Sequence, residues 1–252
     1  MNILLSNDDG VFADGIRALA IALQEGNSLG ISAPDRERSA ASRSMTLYAP
    51  LRARPVVLPG LENVKAYAVT GTPVDCVRLG VGNLFDRPDI VVSGVNHGGN
   101  LGTDALYSGT VAAAHEAALL GIPAVAVSCY SHSPKHLDSA ALFGRRAVSY
   151  VLAHPLPFGT LMNVNVPDLP AEQVRGIKIA PLCVQQYGCT YVQRDDPSGV
   201  PYYWAPRNCL TDTNALDVDM RWIQEGYAVF TPVTYDLTDW QSMKMLNEAD
   251  FS

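Results

Sequence analysis

The chain of 252 residues is 48% hydrophobic and 17% charged, enough apolar material for one sizeable domain or one domain with an appendage. Its formal net charge of -7 excludes the basic footprint of a protein whose main partner is polymeric nucleic acid. A small anionic substrate stays allowed, because metal ions and helix N-termini hold phosphate without adding to the Lys and Arg count.

Cysteines 76, 129, 183, 189 and 209 are scattered, odd in number and without Cys-x-x-Cys spacing, which argues against a disulfide framework or a zinc knuckle. Met1 leads directly into an apolar run with no basic leader, and the apolar stretch from Ala117 to Tyr130 is broken by Gly121 and Pro123. The expectation is a soluble cytoplasmic protein without membrane contact.

Apolar strand-like runs alternate with segments of helical periodicity through the first two thirds, the pattern of an α/β fold whose parallel sheet is covered on both faces. Ile3 to Ser6 predicts a first strand and Gly15 to Gln24 a helix. Strands follow at Leu29 to Ala33 and Val64 to Val69, then a helix from Pro73 to Leu84, with proline at a favoured first position. Ile90 to Val95, Ala124 to Cys129 and Leu161 to Val166 predict further strands, separated by helices at Gly109 to Leu120 and Leu137 to Ala153.

Beyond about Pro181 the texture changes to turn residues and aromatics. Tyr187 to Gln193 and Pro201 to Trp204 flank Asp195-Asp196-Pro197-Ser198-Gly199 and predict a β-hairpin, too aromatic to stand free in water and so expected to pack on another subunit. A strand over Tyr227 to Val233 and a C-terminal helix from about Asp239 complete the chain. The predicted division is a catalytic core over 1–182 and an oligomerisation extension over 183–252.

The chemistry gathers in loops that follow strand ends, where ligands bind open α/β sheets. Asn7-Asp8-Asp9-Gly10 puts adjacent carboxylates at the first of these ends; they repel unless water or a cation offsets them, although a solvated Asp-Asp-Gly turn has the same sequence. The second loop, from Ala33 to Ser44, brings Ser39, and the loop opened by Ile90 to Val95 brings Asn96. Together Asp8, Asp9, Ser39 and Asn96 would offer only hard oxygen donors, a set that favours Mg²⁺ or Mn²⁺ over zinc. Ser39 bonding its own backbone, or Asn96 in an Asx turn, are the plainer readings. Ser108 suits a helix N-cap, and the N–H groups of Gly109, Thr110 and Val111 would cradle phosphate.

The segments Ser6-Asn7-Asp8-Asp9-Gly10, Ala33-Pro34-Asp35-Arg36 with Arg38-Ser39, Gly71-Thr72-Pro73 with Asp75-Cys76, Ser93-Gly94-Val95-Asn96, and Tyr107-Ser108-Gly109-Thr110-Val111 together resemble the SurE family of nucleotide phosphatases. Asn163-Val164-Asn165-Val166-Pro167, Gly226-Tyr227 and Thr231-Pro232 extend the resemblance over nearly the whole chain. It implies a three-layer Rossmann-like core, a C-terminal β-hairpin extension exchanged within a homodimer or homotetramer, and release of phosphate from nucleoside 5'- and 3'-monophosphates. Trimming of short polyphosphate is also implied.

By the same resemblance one divalent cation, Mn²⁺ or Mg²⁺, is held by Asp8, Asp9, Ser39 and Asn96, with Asp8 and Asp9 catalytic. The substrate-binding set is Asn7, Arg43, Asn100, Ser108, Gly109 and Thr110. The chain departs from the family pattern at Arg43, where Asn is common, at Ala40, where Gly is frequent, and at Gly98-Gly99, where a Pro often sits. A guanidinium at 43 would grip phosphate bidentately or pair with a carboxylate.

The expected mechanism is in-line attack of a cation-activated water oriented by Asp8 or Asp9, with charge stabilised at the helix N-terminus. No leaving-group acid stands out; His97 is the nearest histidine. A covalent aspartyl-phosphate mechanism fits less well, because the dehalogenase pattern sets its carboxylates two apart. A nucleotide-binding sensor without turnover is the remaining rival.

Overall fold

In the computed structural model, residues 1–184, 186–205 and 217–248 are described; Cys209 lies outside them. The first strand, β1 (Asn2–Ser6), sets the three-layer plan through its period-2 alternation: Ile3 and Leu5 join one apolar cluster and Leu4 joins another. The first cluster packs β1 against α1 (Asp14–Leu23), and the second lies on the opposite face.

The chain then runs through β2 (Ser28–Pro34), β3 (Ala53–Val56), β4 (Lys65–Val69), α2 (Pro73–Leu79) and β5 (Ile90–His97). Next come α3 (Gly109–Leu119), β6 (Ala124–Tyr130), α4 (Leu137–Ala153), β7 (Thr160–Pro167) and β8 (Ile177–Ile179). A separate hairpin of β9 (Val192–Asp195) and β10 (Pro201–Trp204) precedes α5 (Asp219–Gln224), β11 (Ala228–Thr234) and α6 (Trp240–Asn247).

The main sheet has nine strands in the order β3-β4-β2-β1-β5-β6-β7-β11-β8, parallel except where β3 meets β4 and β11 meets β7. Helices α1 and α4 cover one face, α2 and α3 the other. Because β1 pairs with β2 on one side and β5 on the other, the chain reverses its direction of growth there. The crevice at the carboxyl ends of β1, β2 and β5 is therefore the switch point, the ordinary place for a ligand in such a sheet.

Differences from the sequence reading are local. Helix α2 ends at Leu79 and passes into a wider π-type turn over Gly80–Leu84. The first hairpin strand begins at Val192 rather than Tyr187. Strands β3 and β8 and the single-turn α5 carry too few residues for a periodic signal. The residues after 182 divide: β11 is integral to the main sheet between β7 and β8, whereas β9 and β10 form their own two-stranded sheet.

Candidate active site

Asp8 and Asp9 follow directly on β1. Asn7 builds the turn: its side-chain nitrogen donates to the Gly10 carbonyl at 2.8 Å, and Gly10 N–H returns a bond to Asn7 Oδ1 at 3.2 Å. Asn7 is buried and thus occupied with its own backbone. Gly10 sits at φ 105°, where a side chain would be strained, and a Cβ would also meet the Arg36 carbonyl carbon at 3.2 Å.

The second loop is bound to this turn. Arg38 N–H donates to the Asp8 carbonyl at 2.7 Å, and Val11 N–H donates to the Pro34 carbonyl at 2.8 Å. Ser39 is exposed at the rim, its hydroxyl donating to the Glu37 carboxylate. Glu37 stands close enough to Asp9 to push the Asp9 pKa upward.

The third loop comes from β5, whose register with β6 shifts between Ser93 and Asn96, an irregularity of the kind that re-aims side chains beside active sites. His97 N–H donates to Asp9 Oδ2 at 3.3 Å, so the backbone at the end of β5, next to Asn96, meets the acidic pair at Asp9. The Asn96 amide nitrogen is spent on the Gly98 carbonyl at 2.8 Å, so its oxygen is the end left for a cation.

The fourth contributor is the first turn of α3. Ser108 caps it, accepting from Val111 N–H at 3.1 Å, so the Val111 donor is already used. Gly109 has no room for a side chain: a Cβ there would lie 2.8 Å from Asp8 Cβ and 2.9 Å from Asp8 Oδ2. This close approach seats the Asp8 carboxylate on the helix N-terminus, where the Thr110 hydroxyl donates to Oδ1 and the N–H groups of Gly109 and Thr110 favour its charge.

Those donors do not fully offset desolvation. Burial raises the Asp8 pKa, and burial together with the neighbouring Asp8 charge raises Asp9 to about 6. Among the described residues neither carboxylate has a Lys or Arg ion-pair partner. Two adjacent, under-neutralised carboxylates with a hydroxyl and an amide oxygen fit a hard divalent cation. Ser39 suits this set even while bonded to Glu37, because a donating hydroxyl retains its lone pairs.

Beyond Asn7, held in its own turn, and Thr110, held by Asp8, two more predicted substrate residues are placed otherwise. Asn100 is buried in a polar network: its N–H donates to Asn165 Oδ1 at 2.8 Å, its side-chain nitrogen to Ser128 Oγ at 2.7 Å, and its carbonyl accepts from Asn163 and Asn165. Its visible role is to fix the loop that leads to α3. Arg43 lines a separate cavity with Leu106 and Leu182. Asp75 belongs to the capping box of α2 with Thr72 and also accepts from Thr46, bonds that outweigh burial and lower its pKa.

Sequence reasoning missed Glu37 and gave Thr110 a substrate contact instead of its bond to Asp8. Glu37 reads as a partner for the nearby arginines, yet it takes Ser39, while Arg38 faces Asp35 at 3.8 Å. Thr110 reads as one of several helix-start residues; no spacing rule signals that its hydroxyl reaches a carboxylate 102 positions earlier.

A family model described as "Survival protein SurE" matches residues 3–189. A 5'-nucleotidase SurE from Geobacter sulfurreducens is 45% identical over 254 residues, covering 100% of this chain and 95% of its own. One from Aeromonas hydrophila is 44% identical over 245 residues, covering 96% of each. The crystal structure of a SurE protein from Aquifex aeolicus superposes with a TM-score of 0.84 at 35% identity, over 98% of this chain and 99% of that one.

Proposed function

Because the chain belongs to the SurE family, we propose that it is a 5'-nucleotidase, a metal-dependent phosphoric monoester hydrolase that converts nucleoside monophosphates to nucleoside and phosphate. The observation that carries the chemistry is the Asp8 carboxylate seated on the N-terminus of α3 with Asp9 beside it. The Gly109 and Thr110 N–H groups thus serve Asp8 rather than a phosphate, and the cation-binding pair sits beside the positive end of α3 and the Ser108 hydroxyl, groups that phosphoryl transfer needs.

Asp8, Asp9, Ser39 and Asn96 would hold Mn²⁺ or Mg²⁺. When bound, the cation supplies positive charge beside the phosphoryl group and lowers the pKa of nearby water. Asp9, the more accessible carboxylate, orients and accepts a proton from the attacking water. Ser108 keeps its hydroxyl proton while its oxygen caps the helix, so it donates to a phosphate oxygen, and the helix dipole stabilises the spreading charge. His97 holds Asp9 through its backbone N–H, and no leaving-group acid is assigned.

The hairpin presents Tyr191, Tyr203 and Trp204, each more than half exposed. An isolated two-stranded ribbon with such a surface is marginal in water, which supports a homo-oligomer in which it packs on another copy. No helix among the described residues is long and apolar enough to cross a membrane; a cytoplasmic setting is part of the proposal. The 3'-nucleotide and short-polyphosphate activities belong to it as well.

The test is phosphate release from 5'- and 3'-nucleotides and short polyphosphate with Mn²⁺, Mg²⁺ or chelator, on wild type and Asp8→Asn. Release that needs a divalent cation and disappears in Asp8→Asn is expected. Undiminished release in chelator would remove the metal from the mechanism.

A further inference from the structure

The phosphate chemistry assigns no work to Arg43. Arg43 has no ion-pair partner among the described residues. It is the only charged residue lining a cavity of about 350 Å³ whose walls include Leu106, Leu182, Pro232, Val233 and Leu237. The rest of the lining is mostly apolar: the Thr231 hydroxyl is spent on the Ala180 carbonyl at 2.7 Å, and Thr234 at the exposed end is the other hydroxyl. Partial burial lowers the guanidinium pKa from its ordinary value, in keeping with a cation held against apolar walls.

One end of the cavity adjoins the loop that leads to Ser108, and its β11 wall runs from there toward the start of β7. Ser42, the residue before Arg43, donates through its N–H to the Tyr107 carbonyl at 3.1 Å and through its hydroxyl to the Leu106 carbonyl at 2.8 Å. Leu106 is a wall of the cavity and stands two residues before the Ser108 cap, a chain reach of roughly 7 Å at most. A ribose bridges about that span between phosphate and base.

We infer that this cavity receives the base of the nucleotide, and that Arg43 selects 6-oxopurines, guanine and hypoxanthine, over adenine. The inference rests on the nucleotidase reading. A flat, apolar-faced ring suits the aliphatic walls, and the guanidinium fork matches the adjacent O6 and N7 acceptors of a 6-oxopurine. Adenine turns its N6 amino donor to the same fork, leaving donor against donor where the 6-oxopurine offers two acceptors. A second phosphate group would also attract Arg43, but the mostly apolar walls offer little to its remaining oxygens. Hypoxanthine lacks the 2-amino group of guanine yet shares the O6 and N7 edge, so the two bases are served alike.

The experiment compares kcat/KM for 5'-GMP, 5'-IMP, 5'-AMP and adenosine 3',5'-bisphosphate in wild type, Arg43→Gln and Arg43→Lys, with melting temperatures to confirm folding. Calorimetric binding of guanosine and adenosine to the same proteins gives a readout without turnover. In wild type GMP and IMP exceed AMP by about tenfold, the scale of one bidentate base contact. In Arg43→Gln the preference falls to within about twofold, and Arg43→Lys, lacking the fork, retains only part of it.

Equal use of GMP and AMP by wild type, an unchanged ratio in Arg43→Gln, or an Arg43 effect confined to the bisphosphate would each overturn the assignment. If no nucleotide is hydrolysed while guanosine still binds wild type better than adenosine, the nucleotidase reading fails and the base pocket stands.

Discussion

The Thr110 hydroxyl donates to Asp8 Oδ1, so the second residue of α3 holds the carboxylate that ends β1 in one orientation. Removing that donor while preserving shape isolates its effect. Thr110→Val is expected to weaken Mn²⁺ binding by roughly tenfold, within the range for lost partners of metal-ligating groups, and Thr110→Ser to restore most of it. Titration calorimetry with Mn²⁺ decides; equal affinity in Thr110→Val would mean that Asp8 needs no such support.

Asp9 illustrates the cost of keeping two carboxylates together. Its pKa is raised to about 6 in the folded protein against an ordinary 3.8, so the folded state binds the proton more tightly. Without metal, stability therefore falls as pH rises from about 3.8 through 6 and stays lower above. Asp9→Asn removes that penalty. The metal-free variant is expected to be more stable than wild type by about 1–2 kcal/mol at pH 8, after allowing for screening at a half-buried site, with the gap closing near pH 4. Urea unfolding at both pH values measures it, and turnover by the same variant should fall at least about a hundredfold.

His115 gives the opposite sign. It is 1% exposed in α3, with the Gly159 backbone as the polar group beside its ring. Burial, with the nearby Arg43 charge, pushes its pKa down to about 4 from 6.5. The folded state holds it neutral, so between those values the unfolded chain binds more protons and stability drops as pH falls, by up to about 3 kcal/mol. His115→Leu should flatten the stability profile between pH 7 and pH 4; an unchanged slope would assign the acid sensitivity elsewhere.

Asn100 is best tested for stability. Its side chain and backbone tie three neighbouring polar residues, and Asn100→Ala would leave Ser128 Oγ without that donor in a buried setting. A loss of about 1–3 kcal/mol is expected from calorimetric unfolding. A melting curve that matches wild type would contradict the structural role.

Much of the fold was legible because β1, β5, β6 and β7 are mostly apolar and α4 keeps helical periodicity through all 17 residues. Predicted and observed ends of these elements differ by no more than two residues. What stayed hidden lacks a local signal: β3 and β8 take their structure from a neighbouring strand's hydrogen bonds rather than from their own pattern. At the site, loop-to-sheet logic brought Asp8, Asp9 and Asn96 to one rim, because strand polarity alone dictates it. The Thr110 contact and the network that occupies Asn100 were illegible, since both depend on how two distant elements approach in space.

Asp219, near the far end of the chain, accepts N–H bonds from Gly102 at 2.7 Å and Cys183 at 2.9 Å. The turn that introduces the Ser108 cap is thus fastened by a side chain translated more than a hundred residues later. On the ribosome the nascent polypeptide can stack its early strands, yet the pocket rim lacks its final fastener until synthesis has passed position 219.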